Sequence, residues 1–387
     1  MLAFTLTRVV FNTAHRMIYP FLAVFGRGLG VNLQMLSVAL TTRSLVGMTG
    51  LFLAPIADNR GRKTGMLTGL MIFTAGLVLL IFRPSYPVFL LTLTLIIVGK
   101  YIFDPAMQAY LGDRVPYARR GRVLAITELG WSLSFILGVP LMGFLIARFG
   151  WIAPFPVLAL AGALALVTLY WLIPKDPEPA RDRPGTWSNY RLVFRSPAAL
   201  YGLSIGLLLS AANEVVNVIF GVWMEDSFGL KIATLGAAAA LIGLAELGGE
   251  ALTAGVTDRL GKPRAVALGT ILNCLAALAL PLLGSSLAGA AVGLFFFYIT
   301  FEFTLVSSIP MMTEILPAAR ATLMASNVAS HSLGRAVGAL LATALYTQGI
   351  YVNSIAAIIF NLLALLCLRL LVVKLSARHQ QLGSPSL

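Results

Sequence analysis

The chain reads as an all-α membrane protein with twelve transmembrane helices in two pseudo-symmetric six-helix bundles. Three observations predict this. Of its 387 residues, 58% are hydrophobic and only 11% are charged, whereas a soluble domain carries about 25% charged residues. Twelve apolar runs approach the roughly 20 residues that cross a bilayer as a helix. A charged turn also recurs. Ala54-Pro55-Ile56-Ala57-Asp58-Asn59-Arg60-Gly61-Arg62-Lys63 returns as Ala254-Gly255-Val256-Thr257-Asp258-Arg259-Leu260-Gly261-Lys262-Pro263-Arg264. The offset of about two hundred residues is the size of a domain, too long for a solenoid unit.

In chain order, the first half supplies spans at about 2–24, 34–57, 65–83, 88–112, 122–147 and 151–173, each an apolar window of near bilayer length. Pro174 to Pro197 follows, with Pro-Lys-Asp-Pro-Glu-Pro and Arg-Asp-Arg-Pro-Gly; clustered prolines and mixed charge mark a linker. The second half supplies spans at about 198–222, 232–257, 264–283, 287–311, 322–347 and 351–372. The domain reading is therefore a bundle over 1–173, a cytoplasmic linker over 174–197, a bundle over 198–372 and a polar tail over 373–387. A second pair of loops supports the duplication: acid, proline and arginine keep one spacing in Asp113-Arg114-Val115-Pro116-Tyr117-Ala118-Arg119 and in Glu314-Ile315-Leu316-Pro317-Ala318-Ala319-Arg320. The loops rich in basic residues all fall on one side, the other holding little beyond Arg27, Arg83, Arg148 and Lys231. The positive-inside rule makes the rich side cytoplasmic, and an even span count puts both termini there. Two parallel halves of this kind are a transporter architecture, with substrate held near the midplane between them.

Other classes are set aside. The formal charge of +13 lies mostly in short loops between apolar runs, which argues against a nucleic-acid partner. Cys274 and Cys367 sit inside apolar runs, without a disulfide or zinc framework. Gly202-Leu203-Ser204-Ile205-Gly206 matches a nucleophile elbow but falls in a membrane helix, where the strand–turn–helix setting is missing. No phosphate loop or metal-ligand cluster is visible. The reading is of a protein that is not an enzyme and takes no cofactor or metal. No cleavable leader is expected, because the first apolar run carries Arg8, His15 and Arg16 and flows into the repeat.

The repeated turn resembles the signature of the major facilitator superfamily, which runs Gly-x-x-x-Asp-(Arg/Lys)-x-Gly-Arg-(Arg/Lys). Asp58, Gly61, Arg62 and Lys63 match; Ala54 replaces the leading glycine and Asn59 the first basic residue. The fifth span, Gly130 to Gly143, is similar to a degraded form of the family's antiporter motif, with Val139 separating Gly138 from Pro140. The resemblance covers essentially the whole chain and is nearest to bacterial proton-coupled efflux members. It implies the family's fold and a cytoplasmic gate built from Asp58, Gly61, Arg62 and Lys63, with Asp258, Gly261 and Lys262 as a weaker copy. The alternative is a charged turn that merely anchors a loop in water.

Charges within spans are costly and mark candidate substrate or proton pathways. Arg16 lies deep in the first span, with Asn12 and Tyr19 on or near its face. Arg8 and Arg43 read as snorkelling residues. Lys100 and Asp104 are four apart and read as an internal salt bridge, with Glu128 as a neighbouring member of a structural network. The second half is rich in acids: Glu214 beside Asn217, Glu246 and Glu250 four apart, and Glu302, with His331 and Arg335 in the eleventh span. Arg335 reads as a partner for Glu246 or Glu302. A carboxylic acid held away from water loses its preference for the charged form and becomes able to carry a proton.

The expectation is a secondary transporter of the bacterial inner membrane, working by alternating access as a monomer in the lipid bilayer. It is read as a proton-coupled antiporter that exports small amphipathic or drug-like molecules. The alternatives are a symporter or facilitator for sugars or organic anions, a lipid flippase, and a non-transporting membrane sensor or scaffold.

Overall fold

The first and seventh spans are each broken near one end. The computed structural model describes residues 1–50, 61–174 and 186–383. Among them there is no β-strand. The first half contains α1 (Leu2–Arg16), α2 (Leu22–Leu29), α3 (Leu33–Met48), α4 (Arg62–Phe82), α5 (Tyr86–Arg114), α6 (Tyr117–Leu133), a π-helical turn (Ser134–Gly138), α7 (Val139–Phe149) and α8 (Pro154–Leu172). The second contains α9 (Thr186–Arg195), α10 (Pro197–Asn217), α11 (Phe220–Phe228), α12 (Ile232–Leu260), α13 (Lys262–Leu283), α14 (Leu287–Ile315), a 3-10 turn (Pro317–Ala319), α15 (Arg320–Tyr346) and α16 (Ile350–Gly383).

Ten helical stretches among the described residues are long and apolar enough to cross a bilayer, and an eleventh if α2 and α3, bent by 111°, count as one. Two of the twelve expected spans depart from the count for identifiable reasons. The expected span 2–24 is interrupted: α1 has only 15 residues before the chain turns at Met17 to Phe21. Pro20 carries no backbone donor and cannot continue a helix ladder. The expected span 34–57 is described only as far as residue 50. The seventh span breaks between Asn217 and Phe220 without a proline.

The fifth span continues through the π turn at Ser134–Gly138. That turn ends at Gly138, just before Val139 and Pro140. A π turn closes on i→i+5 bonds and so accommodates one residue more than an α turn.

By packing, the described chain forms two compact units. One comprises Met1–Asp182 with Asn217–Leu244, the other Arg183–Val216 with Ala245–Leu387. In the first unit, Arg27 on α2 pairs with Glu225 on α11 at 2.8 Å. A Cβ added to Gly221 would lie 2.7 Å from the Cα and carbonyl carbon of Pro20, so the broken stretches meet backbone to backbone. Small residues elsewhere in the spans likewise make close contacts. Gly69 lies against the Gly99 carbonyl in the first unit, and Gly338 against Glu214 and Ala211 in the second, as expected where small residues let helices approach.

Candidate functional site

In the first unit, α1 carries Arg8, Asn12 and Arg16 at four-residue spacing, which places them on one helix face. All three are buried, as is Lys100 on α5. Arg8 grips the Glu128 carboxylate with both terminal nitrogens, Nη1 to Oε1 at 2.6 Å and Nη2 to Oε2 at 2.9 Å. Its Nε stands 3.4 Å from Asp104 Oδ1. Lys100 Nζ lies 2.6 Å from Asp104 Oδ2 and donates to Asn12 Oδ1 at 2.7 Å. The Asn12 amide donates in turn to the Gly130 carbonyl at 3.1 Å. Gln108 donates to Glu128 Oε1 at 3.4 Å. Two carboxylates, two cations and two side-chain amides are thus joined across α1, α5 and α6. Such a network offsets the cost of burying charge only when its members are paired and hydrogen-bonded.

Several expectations change here. Arg8 does not snorkel; it is the hub of the network at 5% exposure. Glu128 pairs with Arg8, while Asp104 pairs with Lys100 and Arg8. Arg16 donates to the Trp131 carbonyl at 3.0 Å. Its guanidinium carbon stands 4.1 Å from the Trp131 ring centroid and 3.5 Å from that of Phe135, a cation held on aromatic faces. Tyr19 lies beyond the end of α1, and its hydroxyl accepts from Arg43 Nη2 at 2.7 Å. Arg43 also donates to the His15 carbonyl at 2.8 Å and is 1% exposed. The expectation of a snorkelling Arg43 fails because α1 stops early. The last carbonyls of a helix lack partners and carry partial negative charge, and Arg43 caps one of them from α3.

The second unit carries the acids. Glu214 on α10, Glu246 on α12 and Glu302 on α14 are buried, whereas Glu250, His331 and Arg335 are half-buried. A Cβ on Gly249, between Glu246 and Glu250, would lie 2.8 Å from Glu302 Cβ, so α12 presses that face onto α14. Glu214 Cβ abuts Gly338 of α15, about one turn from Arg335. His331 Nδ1 is 2.7 Å from Ser210 Oγ, and Asn327 Nδ2 is 3.2 Å from His331 Nε2. Asn217, expected beside Glu214, ends α10 and packs with the first unit.

The described end of the repeated turn, from the glycine onward, is built alike in both halves. Asp58 lies outside the described residues. Gly61 and Gly261 precede α4 and α13 with φ of 95° and 83°, the left-handed region that glycine enters without Cβ strain. Arg62 Nε stands 3.4 Å from Asp113 Oδ2. The corresponding Lys262 pairs with Glu314, so two sequence-matched basic residues meet two sequence-matched acids. Lys63 donates to the carbonyls of Tyr170 and Ile173, each at 2.6 Å, and thereby caps α8. Asp258 is exposed near the end of α12 and pairs with no described residue.

Sequence reasoning misread Arg43 and missed Trp131, Ser210 and Asn327. Only Pro20, a breaker within an apolar run, signalled a helix end in need of a cap.

A family model described as Major Facilitator Superfamily matches residues 4–213 and again 202–386. YceJ, an uncharacterised MFS-type transporter of Bacillus subtilis (strain 168), is 28% identical over 293 residues, covering 76% of this chain and 75% of its own. The inner membrane transport protein YdhP of Escherichia coli (strain K12) is 24% identical over 365 residues, covering 93% and 91%. A solved bacterial homologue of the human lysosomal transporter Spinster, inward-facing and unoccupied, superposes with a TM-score of 0.75 at 16% identity, covering 96% of this chain and 95% of that one. That last likeness is one of fold.

Proposed function

The chain belongs to the major facilitator superfamily, and from that premise we propose that it is a proton-coupled antiporter exporting small amphipathic molecules. It is an integral membrane protein and a secondary transporter, not an enzyme. We place it in the bacterial inner membrane with both termini cytoplasmic.

The observation that supports proton coupling is the acid set of the second unit. Glu214, Glu246 and Glu302 lie on three different helices at 1%, 3% and 5% exposure. Ionisable groups inside a membrane protein are expensive to keep and are functional candidates by default. In the proposed cycle at least one of these carboxylates takes up a proton in one conformation and releases it in the other. The proton drives transport only through its differential affinity for the two conformations. The matched pairs Arg62–Asp113 and Lys262–Glu314 brace the same end of each half, and loosen as that end opens.

The test uses proteoliposomes under an imposed pH gradient, with ethidium and rhodamine 6G as amphipathic probes. Glu214→Gln, Glu246→Gln and Glu302→Gln are compared with wild type at equal reconstituted amounts. At least one should cut gradient-driven dye movement by about tenfold or more, a loss of roughly 1.4 kcal/mol of coupling. Three variants with wild-type flux would sink the proposal.

One observation favours a second reading, an organic-anion symporter or facilitator. The first unit buries four cations, Arg8, Arg16, Arg43 and Lys100, of which Arg8 and Lys100 are paired with Asp104 or Glu128. Accumulation of carboxyfluorescein in the direction of proton flow, with no movement of the cationic dyes, would select it.

A further inference from the structure

We propose that α9 is a membrane-surface helix whose Arg191 and Arg195 bind the phosphate of an anionic phospholipid headgroup. The helix precedes the span beginning at Pro197 and is separated from it by Ser196 alone. It packs against α15 and against the 3-10 turn at Pro317–Ala319, where another span begins. Two span starts fix its depth at the boundary between acyl chains and water.

The residues of α9 divide around its circumference. Val193 is fully buried in a cluster with Ala199, Leu316, Ala319 and Leu323, which docks the helix on its own unit. The opposite arc is exposed. At 100° per residue, Arg191 and Arg195 occupy its centre, with Phe194 on one flank and Leu192 on the other. Phe194 is 56% and Leu192 42% exposed. Large apolar side chains beside arginines on an exposed face are the pattern of a helix lying in the interface, with apolar flanks in the acyl boundary and cations at the headgroups.

Among the described residues the charge has no partner. Thr186–Arg195 contains no acidic residue, and neither arginine makes an ion pair or side-chain hydrogen bond with any described residue. The two side chains are four residues apart, about 6 Å along the axis, close enough to converge on one phosphate. A guanidinium meets phosphate oxygens with two parallel N–H donors, which gives geometric preference as well as charge. The adjoining spans require a bilayer surface beside this helix, and the anionic phospholipids in that surface carry the complementary charge.

The test uses the full chain purified in detergent. Thermal unfolding and native mass spectrometry are recorded with added phosphatidylglycerol, phosphatidylcholine or inorganic phosphate. Phosphatidylglycerol should raise the Tm and stay bound through desolvation; phosphatidylcholine and inorganic phosphate should do neither. The double variant R191Q/R195Q should lose phosphatidylglycerol retention by about tenfold, with its Tm in phosphatidylcholine unchanged because both side chains are exposed. R191K/R195K should retain an intermediate amount, since charge persists without the planar fork. If the double variant misfolds, the single variants R191Q and R195Q should each lose retention several-fold. Equal shifts from both lipids, full retention by the Gln variants, or an equal shift from inorganic phosphate would each overturn the assignment.

Discussion

Replacing Gly221 by alanine probes the contact between the two broken spans. The added Cβ would meet the Pro20 carbonyl oxygen and lie 2.7 Å from the Pro20 Cα and carbonyl carbon. Carbon atoms pack comfortably at about 3.5–4.0 Å, so the two backbones must part by about 1 Å. Overpacking of this kind costs about 1–3 kcal/mol. Alanine gains up to about 1 kcal/mol over glycine in a helix interior, but Gly221 is the second residue of α11, where little of that gain applies. Gly221 has no positive φ, so the substitution reports steric approach and not backbone strain. A cost of 1–3 kcal/mol raises the population of the parted arrangement by about 5- to 150-fold. Hydrogen–deuterium exchange of peptides spanning Met17–Phe25 and Val218–Phe228 reads that population, because amides exchange from locally opened states. Both peptides should exchange faster in the variant, with the rest of the first unit unchanged. A change below about twofold in both would refute the close approach.

Other outcomes follow from the same geometry. Asp104→Asn removes the carboxylate shared by Lys100 and Arg8; breaking a buried pair costs about 3–5 kcal/mol, and the lower end applies because Arg8 keeps Glu128. The Tm should fall markedly, and D104N/K100M should recover part of the loss by removing the stranded ammonium. Gly249→Ala would place a Cβ 2.8 Å from both Glu302 Cβ and the Ile299 carbonyl. It should depress gradient-driven dye movement well below what reconstituted protein amount explains. Lys63→Met removes two charge-assisted bonds to the end of α8, worth about 1–2 kcal/mol together given partial exposure. Exchange should quicken in the peptide ending at Ile173 and nowhere else in the first unit. Glu246→Gln or Glu302→Gln should lower coupled flux by more than the amount of reconstituted protein explains.

What was legible in the sequence was mainly what depends on local pattern. Apolar runs of bilayer length mark most spans directly, because in lipid a helix must satisfy its own backbone. The Lys100–Asp104 bridge follows from four-residue spacing alone. The matched loops showed which basic and acidic residues are equivalent, and the structure pairs them as Arg62–Asp113 and Lys262–Glu314. Contacts between distant segments left no such trace. Arg43 looked like a residue near a span end, but its role depends on α1 stopping at Arg16 one helix away. Arg8 looked peripheral by depth, yet Asp104 and Glu128 converge on it from α5 and α6. The seventh span breaks at Val218 and Ile219, residues with no turn signature, where tertiary packing overrides an apolar helical pattern. The packing division that joins Asn217–Leu244 to the first unit is likewise invisible to a repeat read along the chain.

Proton counter-flow measured in a single assay tests the central claim most directly. Wild-type protein is reconstituted into liposomes enclosing the pH dye pyranine, with no initial pH gradient, and an inward rhodamine 6G gradient is imposed. The account predicts that protons leave as dye enters, seen as internal alkalinisation, which a protonophore collapses and at least one of Glu214→Gln, Glu246→Gln and Glu302→Gln abolishes. Dye entry with no change in internal pH, or with acidification, would contradict it.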